Sequence, residues 1–98
     1  MELHLSVSMH VLRPTIHVAG ELDLVSAPDL ESFAAVVMAQ RGPMLTLDLS
    51  GVTFLDASGV AALLAVGVMT RSLGGELVVR GTGHRAPIAL PKEGTPSA

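Results

Sequence analysis

The 98-residue sequence has no cysteine, tryptophan or tyrosine, and it has only two phenylalanines. Without cysteine, disulfides, thiolate nucleophiles and Cys-type zinc sites are excluded, which is consistent with a reducing compartment. With so few aromatic rings, stacking on bases or sugars is nearly excluded, and the core must be built from Leu, Val, Ala, Ile and Met. We therefore expect one small cytoplasmic domain without a metal or a cofactor.

Basic residues are also few. Six Lys and Arg stand against nine Asp and Glu, giving a formal net charge of −3, and no basic block marks a nucleic-acid surface. The longest apolar run, Val60 to Met69, is too short to span a bilayer. The first residues have neither the cationic start nor the unbroken apolar stretch of a signal peptide. We expect neither nucleic acid nor a membrane as a direct partner.

Two strands are predicted at the start of the chain. Apolar and polar residues alternate from Leu3 to Met9, the pattern of a strand with one buried face. A second β-rich run, Thr15 to Ala19, follows within a few residues and is closed by Gly20. The short connection predicts an antiparallel hairpin.

The first helix is predicted to begin at Ser26, with the serine hydroxyl as its cap. Pro28 in the first turn and Asp29 three residues after the serine support this start. Gly42 and Pro43 predict the end, after about four turns. One apolar stripe at helical spacing contains Leu30, Phe33, Ala34 and Val37.

The rest of the folded part is predicted as strand, helix and strand. Met44 to Leu49 reads as a strand, Ser50-Gly51 as a turn or bulge, and the chain then runs on to Asp56. From Gly59 to about Leu73 nearly every residue is apolar or small, which predicts a second helix buried on most of its circumference. Gly74-Gly75 ends that helix, and Glu76 to Arg80 is the fourth strand.

The order β-β-α-β-α-β contains two strand-helix-strand units. Right-handed crossovers place both helices on one face of a four-stranded mixed sheet, so we predict an α/β sandwich. Residues 1–80 form the domain core, and residues 81–98, with three prolines, form an irregular tail. The other sheet surface and the edge strands then need a cover, either the tail around Ile88 and Leu90 or a second copy of the chain. We favour a homodimer.

A strand runs into the second helix through Asp56-Ala57-Ser58-Gly59. Ser58 therefore lies at or beside a helix N-terminus, where free N–H groups and the helix dipole favour a phosphate, and its hydroxyl is expected to be exposed. The simpler alternative is that Asp56 or Ser58 only caps the helix. Asp48 is expected to accept hydrogen bonds near the strand end.

Three segments carry a resemblance to a known family. Leu47 to Leu63, an apolar strand that enters a helix through a D-x-S-G turn, resembles the signature of the STAS domain of anti-sigma factor antagonists, which include SpoIIAA. Gly20 to Asp23 matches a G-E-L-D stretch that opens the first helix, and Gly74 to Leu77 matches the Gly-Gly-x-Leu before the last strand. The resemblance covers about residues 1–80.

The resemblance implies a function and a set of site residues. It implies a binding module, not an enzyme, which sequesters an anti-sigma factor that is also a serine protein kinase and releases it when Ser58 is phosphorylated. The kinase would supply ATP and magnesium, and a phosphatase could reset the switch. The implied partner-binding residues are Asp23, Ser26, Asp56, Ala57, Ser58 and Gly59.

The sequence departs from the family after Arg80, where members usually continue into an amphipathic helix but this sequence continues into a proline-punctuated segment that does not predict one. A structural or sensory STAS module without phosphorylation is therefore an alternative, and a small hydrolase using Ser58 is another, although two glycines of G-x-S-x-G are replaced. Gly81 to Ala86 matches G-x-G-x-x-A but leaves no room for a dinucleotide fold. The four histidines, His4, His10, His17 and His84, are interpreted as surface residues.

Overall fold

The computed structural model describes residues 2–9 and 13–81. The predicted tail, apart from Gly81, and the question of a last helix lie outside the described residues. Helices and strands follow the predicted order and are β1 Leu3–Met9, β2 Pro14–Leu22, α1 Ala27–Arg41, β3 Met44–Leu55, α2 Ala57–Ser72 and β4 Glu76–Arg80.

The four strands form one mixed sheet in the order β1-β2-β3-β4. β1 pairs with β2 antiparallel, whereas β2, β3 and β4 run parallel to one another. The hairpin, the mixed sheet and the two edge strands β1 and β4 confirm the predicted fold class.

The core lies between one sheet face and the two helices. Apolar side chains at alternate positions of β2 and β3 are fully or almost fully buried, as period-two alternation requires. In α1, Leu30, Ala34 and Val37 are buried and Phe33 packs at the edge of the core, which confirms the predicted stripe. In α2 the expectation of burial on most sides was wrong. One stripe is buried, from Gly59 to Thr70, while Val68 is 57% exposed.

Polar residues predominate on the sheet face opposite the helices, the surface for which the sequence interpretation expected a cover. The register places Ser6, His17, Asp48 and Arg80 in one row across the four strands. Asp48 accepts a hydrogen bond from the N–H of Ser50 at 3.0 Å, as expected for a carboxylate near the strand end.

β2 is longer than predicted. The sequence interpretation closed it at Gly20 and began the first helix at Ser26, but Glu21 and Leu22 pair with Phe54 and Leu55 of β3. Leu22 is fully buried, so the core side of the strand continues beyond the glycine. Gly20 stays within the strand with φ 97°.

β3 pairs with β2 along a longer stretch of chain, and bulges absorb its extra residues. His17 pairs with Asp48 and Ala19 pairs with Gly51, so three steps on β3 match two steps on β2. A second shift follows between Gly20 and Glu21. The Ser50-Gly51 irregularity is therefore a bulge inside one continuous strand, which was one of the two predicted options.

Candidate functional site

The β2–α1 loop and the start of α2 meet at one end of the sheet. The N–H of Asp56 donates a hydrogen bond to the carbonyl of Leu22, with N···O 3.4 Å. Gly59 packs against the same carbonyl, and a Cβ built there would also lie 2.6 Å from Cδ1 of Leu55. Because backbone and core contacts both join the two segments, they form one surface.

Asp56 is the N-cap of α2. Its backbone is extended, with φ −109° and ψ −172°, and its carboxylate accepts a hydrogen bond from the N–H of Gly59 at 2.9 Å. Ser58 is the second residue of the helix and is half-buried. Its hydroxyl makes no hydrogen bond to the described part of the chain. The capping role therefore belongs to Asp56 and not to Ser58.

The start of α2 can accept an anion. Within residues 2–9 and 13–81, the N–H groups of Ala57 and Ser58 have no hydrogen-bond acceptor. These are the free donors that every helix start carries, and the dipole of a 16-residue helix adds partial positive charge there. A phosphate on the Ser58 hydroxyl would lie beside these donors.

The β2–α1 loop is held by its own polar groups. The carboxylate of Asp23 accepts hydrogen bonds from the N–H groups of Val25 and Ser26, both at 3.0 Å. The bond from the Ser26 N–H is the main cause of an Asp23 pKa below its ordinary value, although burial opposes it. Such an Asx-type turn fixes the loop backbone.

Ser26 takes part in the loop instead of capping α1. Its hydroxyl donates to the carbonyl of Glu21 at 2.7 Å and accepts from the N–H of Asp23 at 3.0 Å. Ser26 is the N-cap residue by position, but it makes no side-chain cap bond, so the predicted capping hydroxyl was wrong. The N–H of Ala27 is satisfied by the Asp23 carbonyl at 2.8 Å, and Pro28 has no N–H to satisfy.

Leu24 and Val25 are apolar residues exposed at the tip of this loop. Their exposed fractions are 73% and 84%, the two largest among the exposed large hydrophobic residues of the described chain. The sequence interpretation did not identify them. The available signal was two branched apolar residues between Asp23 and Ser26, outside any strand or helix periodicity. Apolar side chains held on a fixed loop are suited to docking.

The predicted site residues differ in exposure. Ser26, which is 8% exposed, and Gly59 are buried, so they support the surface without forming part of it. Partner contact by any of these residues stays a prediction. Those at least partly open to solvent are Asp23, Asp56, Ala57 and Ser58.

The electrostatic character of this surface is acidic. Residues 14–40 and 42–70, which include both of its segments, contain no Lys and no Arg. Asp23 and Asp56 both contribute carboxylates. A phosphate on Ser58 would have no cationic side chain from these segments beside it.

A second polar cluster, separate from the helix start, lies on the sheet face opposite the helices. Ser8 Oγ lies 2.7 Å from His17 Nε2, and His17 Nδ1 lies 3.5 Å from Asp48 Oδ2. Ester hydrolysis would also need N–H donors for an oxyanion, but the N–H of Ser8 belongs to the β1–β2 ladder. Ser58 itself has no histidine bonded to it in the part of the chain that is described.

Fold and surface together define a class of small α/β domain in which an exposed loop lies beside a helix start. A family model described as Mlab, STAS domain matches residues 5–90. The chain belongs to the STAS domain family. Within the described residues, no helix has the length and apolar character needed to cross a membrane.

Relatives in this family are named as anti-sigma factor antagonists. The anti-sigma-F factor antagonist RsfB of Mycobacterium tuberculosis is 36% identical over 76 residues, which are 76% of this chain and 62% of that protein. The anti-sigma-B factor antagonist of Listeria monocytogenes is 31% identical over 70 residues, 71% of this chain and 61% of that protein. The chain thus spans only about three fifths of the length of these relatives.

Solved structures agree with the fold. The crystal structure of an anti-sigma factor antagonist from Mycobacterium paratuberculosis has a TM-score of 0.70 and 35% identity, and the match covers 89% of this chain and 75% of that one. The unphosphorylated form of the anti-sigma factor antagonist SpoIIAA has a TM-score of 0.62 at 19% identity, covering 78% and 71%. At that identity the second likeness concerns the fold alone.

Proposed function

We propose that this chain is an anti-sigma factor antagonist. Unphosphorylated, it binds an anti-sigma factor that is also a serine kinase, and phosphorylation of Ser58 ends the binding. The names of its relatives support this function. The observation that carries it is the fixed loop with exposed Leu24 and Val25, joined by backbone contacts to the helix start that bears Ser58.

The surface defines the chemistry of the partner. Leu24 and Val25 offer apolar side chains, and burying each in a partner pocket would contribute about 1.5–3 kcal/mol before the costs of association. Asp23 and Asp56 would complement Lys or Arg on the partner at the rim. The surface therefore fits a partner with an apolar pocket bordered by basic side chains.

Phosphorylation needs little from this chain besides the serine. The Ser58 oxygen attacks the γ-phosphorus of ATP, a new O–P bond forms, and the bond to the β–γ bridging oxygen breaks to release ADP. The serine proton passes to a base of the kinase. The unpaired Ser58 hydroxyl requires no hydrogen bond within the described chain to be broken first.

The phosphate changes the same surface electrostatically. It adds about −1.5 to −2 charges beside Asp56, on segments that carry no cation. If the kinase keeps its nucleotide close to Ser58, repulsion between phosphates and the cost of desolvating the new charge both oppose rebinding. A phosphatase that removes the phosphate would restore binding.

Phosphorylation by a kinase is the direct test. The purified chain is incubated with each anti-sigma factor kinase from its own genome, ATP and magnesium, and mass spectrometry locates the phosphate. We expect one phosphate on Ser58 and none on the Ser58→Ala variant. A chain that binds such a kinase but is never phosphorylated would instead be a STAS module without this switch, and phosphate on another residue would contradict the assignment of Ser58.

Binding is tested separately with a matched pair of valines. Val25→Ser removes an apolar contact from the loop, and Val68→Ser makes the same change at an exposed position of α2, about 15 Å along the helix from Ser58. We expect the Kd for the kinase to rise at least about tenfold with Val25→Ser and to stay unchanged with Val68→Ser. Equal effects of the two substitutions would exclude the loop as a docking element.

A further inference from the structure

β1 is an edge strand without the features that usually protect edges. Its seven residues, Leu3–Met9, contain no Asp, Glu, Lys, Arg or Pro. Its register with β2 is unbroken over all seven positions, so no bulge bends the edge away. No strand in the described part of the chain pairs with its outer side. Natural edges of this length are generally blocked by charge, proline or a bulge, because they otherwise pair with another strand.

An apolar strip follows this strand on the helix side of the sheet. Leu3 and Leu5 pack only partly against the core, while Val7 is 43% exposed and Met9 50%. The helices pack mainly over β2, β3 and β4. Among the described residues, the strip is therefore only partly covered on its face and is unpaired along its edge.

The hydrogen-bond parity of β1 identifies its free backbone groups. The N–H of Glu21 donates to the carbonyl of Glu2, which places Glu2 in a hydrogen-bonded pair with β2. In an antiparallel ladder such pairs alternate, so the even-numbered residues direct their N–H and C=O groups to β2. The backbone groups of Leu3, Leu5, Val7 and Met9 point outward.

We propose that a second copy of this chain pairs with β1, antiparallel and edge to edge, about a two-fold axis at Ser6. Leu3 of one copy then lies opposite Met9 of the other, and Leu5 lies opposite Val7. These are the residues with outward backbone groups, so each pair exchanges two hydrogen bonds. The two sheets become one continuous sheet.

The strand is self-complementary, which is why a second copy is the occupant. The antiparallel register joins the two apolar strips on the helix side, and His4 faces Ser8 on the polar side. No like charges meet, because the strand contains no Asp, Glu, Lys or Arg. A two-fold contact of this kind is closed and stops at the dimer. This inference goes beyond the proposed function and does not depend on Ser58.

A cysteine cross-link tests the register. The chain has no cysteine, so Ser6→Cys introduces a single thiol. At the two-fold axis the two Ser6 residues form a non-hydrogen-bonded pair with Cα atoms about 4.5 Å apart, which suits a disulfide. Ser6→Cys should oxidise to a covalent dimer at least about tenfold faster than the exposed control Ser72→Cys. Equal rates would overturn the proposal.

Sedimentation across a dilution series tests the dimer itself. The unmodified chain should pass from dimer to monomer on dilution, and Val7→Lys should shift this transition to at least about tenfold higher concentration by placing a charge at the paired edge. Val68→Lys, the same change at an exposed helix position, should leave the transition unchanged. A monomer at every concentration, or a dimer that tolerates Val7→Lys in a variant with unaltered circular dichroism, would overturn the proposal. Ser58→Ala should dimerise normally, so this test and the kinase test can fail separately.

Discussion

Gly59 lies against the carbonyl oxygen of Leu22 so closely that a Cβ atom at position 59 would overlap it. The contact brings the end of β2 to the first turn of α2, and the N–H of Asp56 donates to the same carbonyl. The candidate docking loop and the serine-bearing helix start are therefore positioned by one backbone group. A side chain at position 59 would therefore have to displace both the loop and the helix start.

Gly59→Val should destabilise the fold and slow phosphorylation of Ser58. Overpacking against the Leu22 carbonyl and the Leu55 side chain should lower the free energy of unfolding by about 1–3 kcal/mol, more than any gain from replacing a helical glycine. Ala61→Val, at an exposed position of α2, should cost only about 0.5 kcal/mol. Urea unfolding and kinase assays measure the two effects. An unchanged free energy of unfolding and an unchanged phosphorylation rate in a folded Gly59→Val variant would argue against a close contact between Gly59 and the Leu22 carbonyl.

Ser58→Ala and Asp56→Ala should separate the proposed phosphorylation site from the capping residue. Because the Ser58 hydroxyl has no partner among the described residues, its removal should change the free energy of unfolding by less than about 0.5 kcal/mol. Asp56→Ala removes the acceptor for the Gly59 N–H and should cost about 0.5–2 kcal/mol, while Asp56→Asn retains most of the cap. A larger loss in Ser58→Ala than in Asp56→Ala would reverse the two roles.

The order of the helices and strands could be predicted because each has a clear period or a clear stop. β1 alternates over its whole length, and β4 is bounded by Gly75 and Gly81. The position of Ser58 was predictable for the same reason, since the strand-to-helix change of period falls at Asp56. These are local signals, and no tertiary contact opposes them.

The misassigned features depend on contacts between distant segments. The end of β2 was placed at Gly20 because glycine usually interrupts a strand, but pairing of Glu21 and Leu22 with β3 continues it. The Ser26 hydroxyl was assigned to the cap because local propensity favours that role, but the Glu21 carbonyl takes its proton. Neither partner can be identified from periodicity.

Acid should weaken the fold partly through Asp48. The hydrogen bond from the Ser50 N–H holds the pKa of Asp48 below its ordinary value of 3.8, with smaller contributions from Arg80 and His17. A group whose pKa is lowered by folding stabilises the fold above its unfolded pKa, and this contribution is lost as pH falls through the folded value. The loss should therefore occur below about pH 4.

Carboxyl NMR titration and urea unfolding at several pH values check this expectation. The chemical shift of the Asp48 carboxyl carbon should change with pH with a midpoint below 3.8. Asp48→Asn should lower stability at pH 7 and flatten the dependence on pH between about 4 and 2. A titration midpoint above 3.8, or an unchanged pH dependence in Asp48→Asn, would contradict the assigned hydrogen bond.

Gly20→Ala should cost more stability than Gly42→Ala, although both residues have almost the same backbone angle. Their φ values are 97° and 93°, in the region that favours glycine, so alanine is strained by about 1–3 kcal/mol at either position. A Cβ on Gly42 meets nothing within 4 Å, whereas a Cβ on Gly20 would overlap the carbonyl of Glu2. The difference between the two variants therefore isolates the close approach of β1 to β2. We expect Gly20→Ala to lower the free energy of unfolding by about 1–3 kcal/mol more than Gly42→Ala in urea unfolding, because the hairpin must open at Glu2 to admit the methyl group. Equal losses would mean that β1 can shift at its first residues without cost.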